Sequence, residues 1–511
     1  MKKRYHIYNA IIISLLSSCN FFQKTSINVN RPQSTISYDF AEKENEFYDG
    51  YYKANDIKYT IKSANEQLGW HSLSSLGNQN ILVVPVQLNN GPQWTKPMLE
   101  NLYSVFFGES NETNWESVHS FFYKSSYGQL NIIGEVYQTP IIINKYSTRG
   151  FDNSYKLGID EPGNIVANTF YKDAPSELLQ KYDQDKDGFI DAIVFCYSND
   201  FSEDSDSVYW AWVDYNLQNR PITNKPNINT FMWASYSFIK EKYYGIFNVP
   251  QGLDAHTFIH ETGHLLGLDD YYNYDYDWDP AGTLDMQSYN VGDHNIYSKM
   301  ALGWIKPYVV TNNSTITLRN SAKYADAILI KNNWNGSLFD EYLLIEYYAP
   351  EELNKQDALF IYSNRDRMYN YYGLRIYHVD ARLVSNVKSF YEEDGTITRL
   401  NSGYTSDFNS TRCYIGAANS PLSWSYLNSN DRMYFYYLHL LDSAKQNVLN
   451  EGTLTMSTTL WKKGSTFNPN NCQGFFKNKT KFNDNTPINF NISVSNITEE
   501  NATITVTKTT N

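Results

Sequence analysis

His260-Glu261-Thr262-Gly263-His264-Leu265-Leu266-Gly267-Leu268-Asp269-Asp270 is the stretch on which the reading of this chain turns. Its form is H-E-x-x-H-x-x-G-x-x-D. On a helix, residues four apart sit one turn apart on one face. His260 and His264 therefore present two imidazoles toward a single point. Imidazoles so placed can bind one zinc ion, and Glu261 beside them can take a proton from a zinc-bound water. Gly267 permits a sharp left-handed turn after the helix, because it has no Cβ to clash. That turn can return Asp270 as a third ligand and leave a fourth position open, as catalytic zinc requires. Asp269 competes for the role at an offset one residue short. The structural alternative is a helix that happens to carry two surface histidines. Against it, Phe258, Ile259, Leu265, Leu266 and Leu268 give the helix an apolar back suited to burial. Asp254 is the expected N-cap before Ala255.

Downstream lies Thr283-Leu284-Asp285-Met286-Gln287-Ser288-Tyr289. A methionine in a tight turn beneath the metal is a second mark of one large zinc-protease group. Alone it would be core filler; its distance after the motif gives it weight. Lys299-Met300-Ala301-Leu302-Gly303-Trp304-Ile305 follows. With these segments in this order, the chain resembles the immune inhibitor A family of bacterial metallopeptidases, peptidase family M six. The family's zinc motif ends in Asp, and an acidic-aromatic loop, an Asp-Met turn and a Lys-x-x-x-Gly-Trp segment follow it. Further similar stretches are Ser125-Ser126-Tyr127-Gly128-Gln129-Leu130, the acidic loop at Asp183, residues 341–347 and residues 373–380. The resemblance covers roughly residues 78 to 470. Gln287 departs from it, standing where relatives often have a hydrophobic or small residue. The resemblance implies a zincin or metzincin-like catalytic domain with Met286 as the floor of the site.

Length and composition set the frame. A chain of 511 residues can hold two or three domains. Its net charge of −13 argues against nucleic acid and anionic membrane surfaces as electrostatic partners. Lys2, Lys3 and Arg4 precede a short apolar core at 10–16, which is too short to span a bilayer permanently and reads as an export signal. Leu16-Ser17-Ser18-Cys19 resembles a lipoprotein cleavage box, with Cys19 lipidated as the mature N-terminus. The expected location is therefore the outer side of the cell membrane through that lipid anchor; a plain secretory signal would make the protein secreted. Cys196, Cys413 and Cys472 cannot all pair. Cys196 lies in an apolar run and reads as a buried thiol, while a Cys413–Cys472 bridge is left open.

Along the chain, residues 1–18 read as signal peptide and 19–77 as tether or short pro-region, with a short helix near its end. Residues 78–310 read as the catalytic domain and 311–511 as a β-rich, sandwich-like region, an α+β architecture overall. Strands are expected at 81–86, 130–136 and 190–197, and helices at 98–107, 175–182 and 255–267. Thr113-Asn114-Trp115-Glu116 reads as a capping box opening a helix through about Lys124. Beyond Trp304, short alternating runs dominate, at 315–318, 327–330, 342–348, 374–379, 434–441, 490–494 and 502–507.

A second chemical signal is Asp183-Gln184-Asp185-Lys186-Asp187-Gly188-Phe189-Ile190-Asp191. Acids at alternate positions around a turn, with Gly at the sixth place, suit calcium. Asp183, Asp185, Asp187 and Asp191 are the candidate ligands, in a structural role. It is not a full EF-hand, since Val194 stands where a bidentate Glu is needed; a solvated acidic turn is the alternative. The acidic clusters at 200–206 and 275–279 read as solvated loops. Tyr271, Tyr289 and His294 are candidate donors to a developing oxyanion, unranked. His256 and His378 read as structural.

The expected activity is that of a surface zinc endopeptidase acting on extracellular proteins or peptides, with zinc at the site and calcium as a structural ion. The protein is expected to be monomeric and to bind no nucleic acid. Two other readings stay open: an adhesin or lapsed protease used for binding, and a zinc hydrolase of cell-wall material.

Overall fold

The computed structural model describes residues 47–54, 57–88, 91–143, 160–200, 210–216, 219–240, 243–244, 252–273, 279–282, 285–288, 291–359, 361–362, 369–391, 397–401, 403–406, 412–420, 434–447 and 459–509. The signal segment, Cys19 and Tyr289 lie outside the described residues. The fold is mixed α/β with several sheets.

The first sheet is organised by the twelve-residue strand Gly77–Leu88. Leu130–Val136, Ile141–Ile143 and Ile193–Tyr197 all run parallel to it. Thr230–Ser235 continues the sheet in parallel, and Trp212–Tyr215 closes that edge antiparallel. A mostly parallel sheet must be covered on both faces, and successive side chains of its strands point to opposite faces. Accordingly Ile81 and Val83 join the largest core cluster, with Leu102, Phe106, Phe122 and Phe258. Leu82, Val84 and Val86 join a separate cluster with Val166 and Phe170. The motif helix packs within the first of these layers.

The second sheet has seven strands, in the order Phe47–Tyr48, Tyr51–Lys53, Tyr308–Val310, Ile328–Ile330, Glu341–Tyr348, Gly373–Asp380 and Leu438–Leu440. A four-stranded antiparallel sheet, Ser314–Arg319, Asn501–Lys508, Phe490–Ile497 and Thr466–Phe467, packs against one face of it. Alternation again separates the layers. Leu343, Ile345 and Tyr347 meet Ile316, Ile492 and Ile504 in one cluster. Tyr342, Leu344 and Tyr348 point the other way, into the same cluster as the motif helix. The largest core thus runs across residue 310, where the sequence suggested a boundary.

Several sequence expectations need correction. From Phe47 onward, the segment read as tether enters the fold. Tyr51–Lys53 pairs with Tyr308–Val310, and the short helix expected near the end of the segment is Ile61–Leu68, which buries Ile61, Ala64 and Leu68 in the fold. The helix expected from Thr113 begins instead at Val118. Ser117 and Ser120 form its reciprocal cap, while the Asn114 N–H is taken by Leu253 O at 2.9 Å. No disulfide joins Cys413 to Cys472: both are buried thiols, and they belong to different core clusters. Among the described residues no helix is long and apolar enough to cross a membrane.

Candidate metal centre

The motif helix runs His256–Leu265. Asp254 serves it from one residue further out than expected: its Oδ1 accepts the His256 N–H at 2.9 Å, while Ala255 occupies the cap position. Phe258, Ile259 and Leu265 are fully buried, and Phe258 packs on Phe106 at 5.0 Å between ring centroids. Burial of this apolar face turns the opposite face, with His260 and His264, toward the site. After the helix, Gly267 adopts φ +95°, and a Cβ there would lie 2.4 Å from Asn65 Nδ2. Another residue there would be strained by the backbone conformation and would have to displace the Asn65 side chain of the Ile61–Leu68 helix.

The turn brings Asp270 back to the helix. His260 Nε2 lies 3.0 Å and His264 Nε2 3.3 Å from the same Asp270 oxygen, and the two nitrogens are 3.2 Å apart. Three donors each at zinc-ligand distance from one tetrahedral ion are separated by about 3.3 Å. The triangle has that size. The outer ring nitrogens are fixed as well. His260 Nδ1 donates to Met286 O at 2.7 Å and His264 Nδ1 to Leu268 O at 2.8 Å. With Nδ1 donating, the neutral ring carries its lone pair at Nε2, which is the form a metal needs. Asp269 is exposed, and its Oδ1 accepts the Asp270 N–H at 3.0 Å; Asp270 is the carboxylate in the cluster.

Charge in the site follows the same logic. Burial alone would lower the His264 pKa, but the Asp270 carboxylate overcomes it and pushes the group up to about 10. His260 is raised by the same carboxylate against the same burial. Asp270 is held well below the usual carboxylate range: burial would raise it, but the charges and hydrogen bonds of His264 and His260 together outweigh desolvation. The pocket therefore demands positive charge beside Asp270, whether from protons or from a metal ion. Glu261 is buried, and its Oε2 has no hydrogen-bond partner among the described residues. Burial raises its pKa, with His264 and His260 opposing. A nitrogen–nitrogen–oxygen donor set beside an unsatisfied buried carboxylate fits a catalytic zinc ion.

The Asp-Met turn supports the cluster through its backbone. Met286 is fully buried and contributes the carbonyl that fixes His260. Asp285 organises the turn: its carboxylate accepts from the Gln287 N–H at 2.7 Å and from Asn295 Nδ2 at 2.8 Å. Gln287 lies flat against the helix, with Nε2 donating to His260 O at 3.1 Å. Gly263, an unspecified position of the motif, makes room for it. A Cβ at Gly263 would fall 2.1 Å from Gln287 Oε1. The sequence singles out Gln287 but gives no sign that it meets Gly263.

His294 is not placed at the cleft. It is buried among Phe121, Phe122 and Trp304. Its ring nitrogens face Ser125 Oγ at 3.1 Å and Gln287 Oε1 at 3.4 Å. Burial lowers its pKa well below the ordinary histidine value. A neutral, enclosed ring behind the helix is a support, so the expected oxyanion role does not fit it. Tyr271 is likewise enclosed, with its hydroxyl 2.9 Å from Ser298 Oγ. The half-buried Tyr272, which sequence reasoning passed over, sits with its ring 6.4 Å from that of His260. Its only sequence signal is adjacency to the motif. His378 is structural as expected, bonded through Nε2 to Glu341 at 2.8 Å.

The acidic loop brings Asp183, Asp185 and Asp187 together, one oxygen from each lying within 4.8 Å of the others. Lys186 and Gly188 take positive φ and curl the loop. Asp183 Oδ1 is buried with no hydrogen-bond partner among the described residues. Asp191 stands apart from that group, accepting the Gln184 N–H at 2.8 Å. Burial pushes its pKa up to about 7. Two groups from the N-terminal segment reach the loop: Lys62 lies 3.0 Å from Asp185, and His71 Nδ1 bonds Asp187. An all-oxygen donor set suits a hard cation.

A scan against models of protein families finds no match for the chain. A search of curated proteins finds none either.

Proposed function

We propose that this chain is a zinc-dependent endopeptidase of the immune inhibitor A type, with His260, His264 and Asp270 as ligands. One observation carries the reading: the three donor atoms form a triangle of 3.0, 3.2 and 3.3 Å, with both outer imidazole nitrogens pinned to carbonyls. Zinc bound there would supply a Lewis acid that polarises the scissile carbonyl and lowers the pKa of water. Glu261 takes the proton of the attacking water and then delivers it to the amine nitrogen that leaves. Its burial keeps that carboxylate away from bulk water, so its basicity is available to the reaction. A lapsed enzyme used only for binding has no chemical need for a buried, unsatisfied Glu261, which favours catalysis over the adhesin reading. Calcium in the acidic loop, export with a lipid anchor at Cys19, and a monomeric state belong to the same proposal.

The test uses the full chain. Zinc content is measured, and cleavage of unfolded protein substrates is followed with and without chelator. A stoichiometric zinc ion is expected, with activity lost on chelation and in Glu261→Ala. A protein that takes up no zinc, or equal activity in Glu261→Ala, would overturn the proposal.

A further inference from the structure

We infer that Asn419, supplied by the β-rich half of the chain, is a positioning residue for the third metal ligand, an inference that rests on the zinc reading above. The backbone of Tyr271, the residue that follows Asp270, is held at both its N–H and its carbonyl. The Tyr271 N–H donates to Gln287 O at 2.9 Å, in the turn beneath the site. The Tyr271 carbonyl accepts from Asn419 Nδ2 at 3.0 Å. Asn419 is fully buried, and its other bonds lie within the seven-stranded sheet. Its Nδ2 also donates to Leu438 O at 2.7 Å, and its Oδ1 accepts the Leu438 N–H at 3.1 Å. The side-chain amide thus uses both donor hydrogens and an acceptor position to join strand Leu438–Leu440 to the ligand loop.

This linkage matters because Asp270 is on a loop, not on the helix. The two histidines are fixed by helical geometry and by carbonyl partners. The carboxylate depends on the path of the chain after Gly267, and groups that orient a ligand typically contribute about 10–100-fold to metal affinity. Strand Leu438–Leu440 is itself held near the site by a second bond, Leu440 N–H to Pro280 O at 2.8 Å. The β-rich half therefore completes the metal centre.

The experiment compares zinc affinity, by chelator competition, in the wild type, Asn419→Ala and Asn419→Ser, with Ile504→Ala as a destabilised control in the four-stranded sheet. Asn419→Ala is expected to lose about 10–100-fold in zinc affinity, Asn419→Ser to lose somewhat less, and Ile504→Ala to lose stability with affinity unchanged. The cobalt-substituted wild type and Asn419→Ala should differ in visible absorption, which reports ligand geometry and which a merely structural role would leave alone. Because the variants can fail to fold, hydrogen exchange in the wild type supplies an independent arm: zinc should slow exchange of the Leu438 amide. Unchanged affinity in folded Asn419→Ala, or no zinc effect at Leu438, would overturn the inference. A wild type that binds no zinc would instead overturn the zinc reading itself.

Discussion

At the motif helix the converging atoms are two imidazole nitrogens and one carboxylate oxygen; in the acidic loop they are oxygens of Asp183, Asp185 and Asp187. The two clusters also differ in how their charge is met. In the loop the chain brings the Lys62 ammonium to Asp185 and the His71 ring to Asp187. At the helix, Asp270 faces two histidines whose outer nitrogens donate to carbonyls, so its charge is met by protons on those rings or by an ion that replaces them. On the proposed reading, the first is a triangle of zinc dimensions with Glu261 beside it, and the second is a set of oxygens suited to a hard cation.

The largest expected effect separates the two sites. His264→Ala should lose bound zinc and lower peptide hydrolysis by about 100-fold or more, while leaving any calcium-dependent rise in melting temperature intact. The double variant Asp185→Asn, Asp187→Asn should do the reverse. Metal analysis beside thermal melts reads both. Retention of zinc by His264→Ala, or loss of zinc from the loop variant, would erase the distinction.

Next is the packing that holds the helix over its turn. An Ala in place of a helical Gly ordinarily stabilises by about 1 kcal/mol. Here Gly263→Ala is expected to destabilise by about 1–3 kcal/mol, because its methyl would collide with Gln287 Oε1. Adding Gln287→Ala should recover part of that loss, and a double-mutant cycle in denaturant reads the coupling. A more stable Gly263→Ala would mean the helix and turn are not in that contact. The acidic loop has a glycine held in a similar way: Gly188 takes φ +89°, and a Cβ there would fall 2.9 Å from Ile222 N and from Pro221 Cβ.

How much of this was legible in the sequence depends on whether the signal was local. The spacing of His260 and His264, the glycine at 267 and the acid at 270 are all encoded within eleven consecutive residues, and the structure brings the three ligands together. The strands at 130–136, 341–348 and 373–380 were legible because alternation and apolar runs are local too. Asn419 was not. It stands in Ala417-Ala418-Asn419-Ser420-Pro421, a turn-like run with no periodicity, and its partner Tyr271 is 148 residues away. His294 was misread for the same reason, since its burial depends on Phe121, Phe122 and Trp304. The segment from Phe47 to Leu68 looked like a tether because its pairing partner, Tyr308–Val310, is remote.

A smaller effect comes from pH, at Asp191. Its pKa in the folded chain is raised by burial from 3.8 to about 7. The folded state then binds the proton more tightly than the unfolded state, so stability is greatest below pH 4 as far as this group is concerned. It falls as pH rises through the interval up to about 7. In calcium-free protein, Asp191→Asn should flatten that slope and add about 1–3 kcal/mol at pH 8. Stability of both proteins across pH, by denaturant titration, checks it. A steeper slope in the variant would show that Asp191 is ionised and satisfied in the fold.

The smallest effect tests whether the loop's own cation competes with a metal ion. Lys62 lies 3.0 Å from Asp185 and 3.7 Å from Glu66, and its side chain keeps 21% of its exposure. An ion pair so placed contributes no more than about 1 kcal/mol, so Lys62→Met should barely move the calcium-free melting temperature. Its effect on binding has the opposite sign from ordinary damage. Calcium at the cluster needs the Asp185 carboxylate that Lys62 holds, and removing the ammonium also removes a like charge from the ion's surroundings. Calcium affinity, read by calorimetry, should therefore rise a few-fold in Lys62→Met. The helix site offers no equivalent gain, because the groups facing Asp270 are the ligands themselves. If calcium affinity falls in Lys62→Met, the lysine is helping to arrange the loop and the contrast between the two sites narrows to their donor atoms alone.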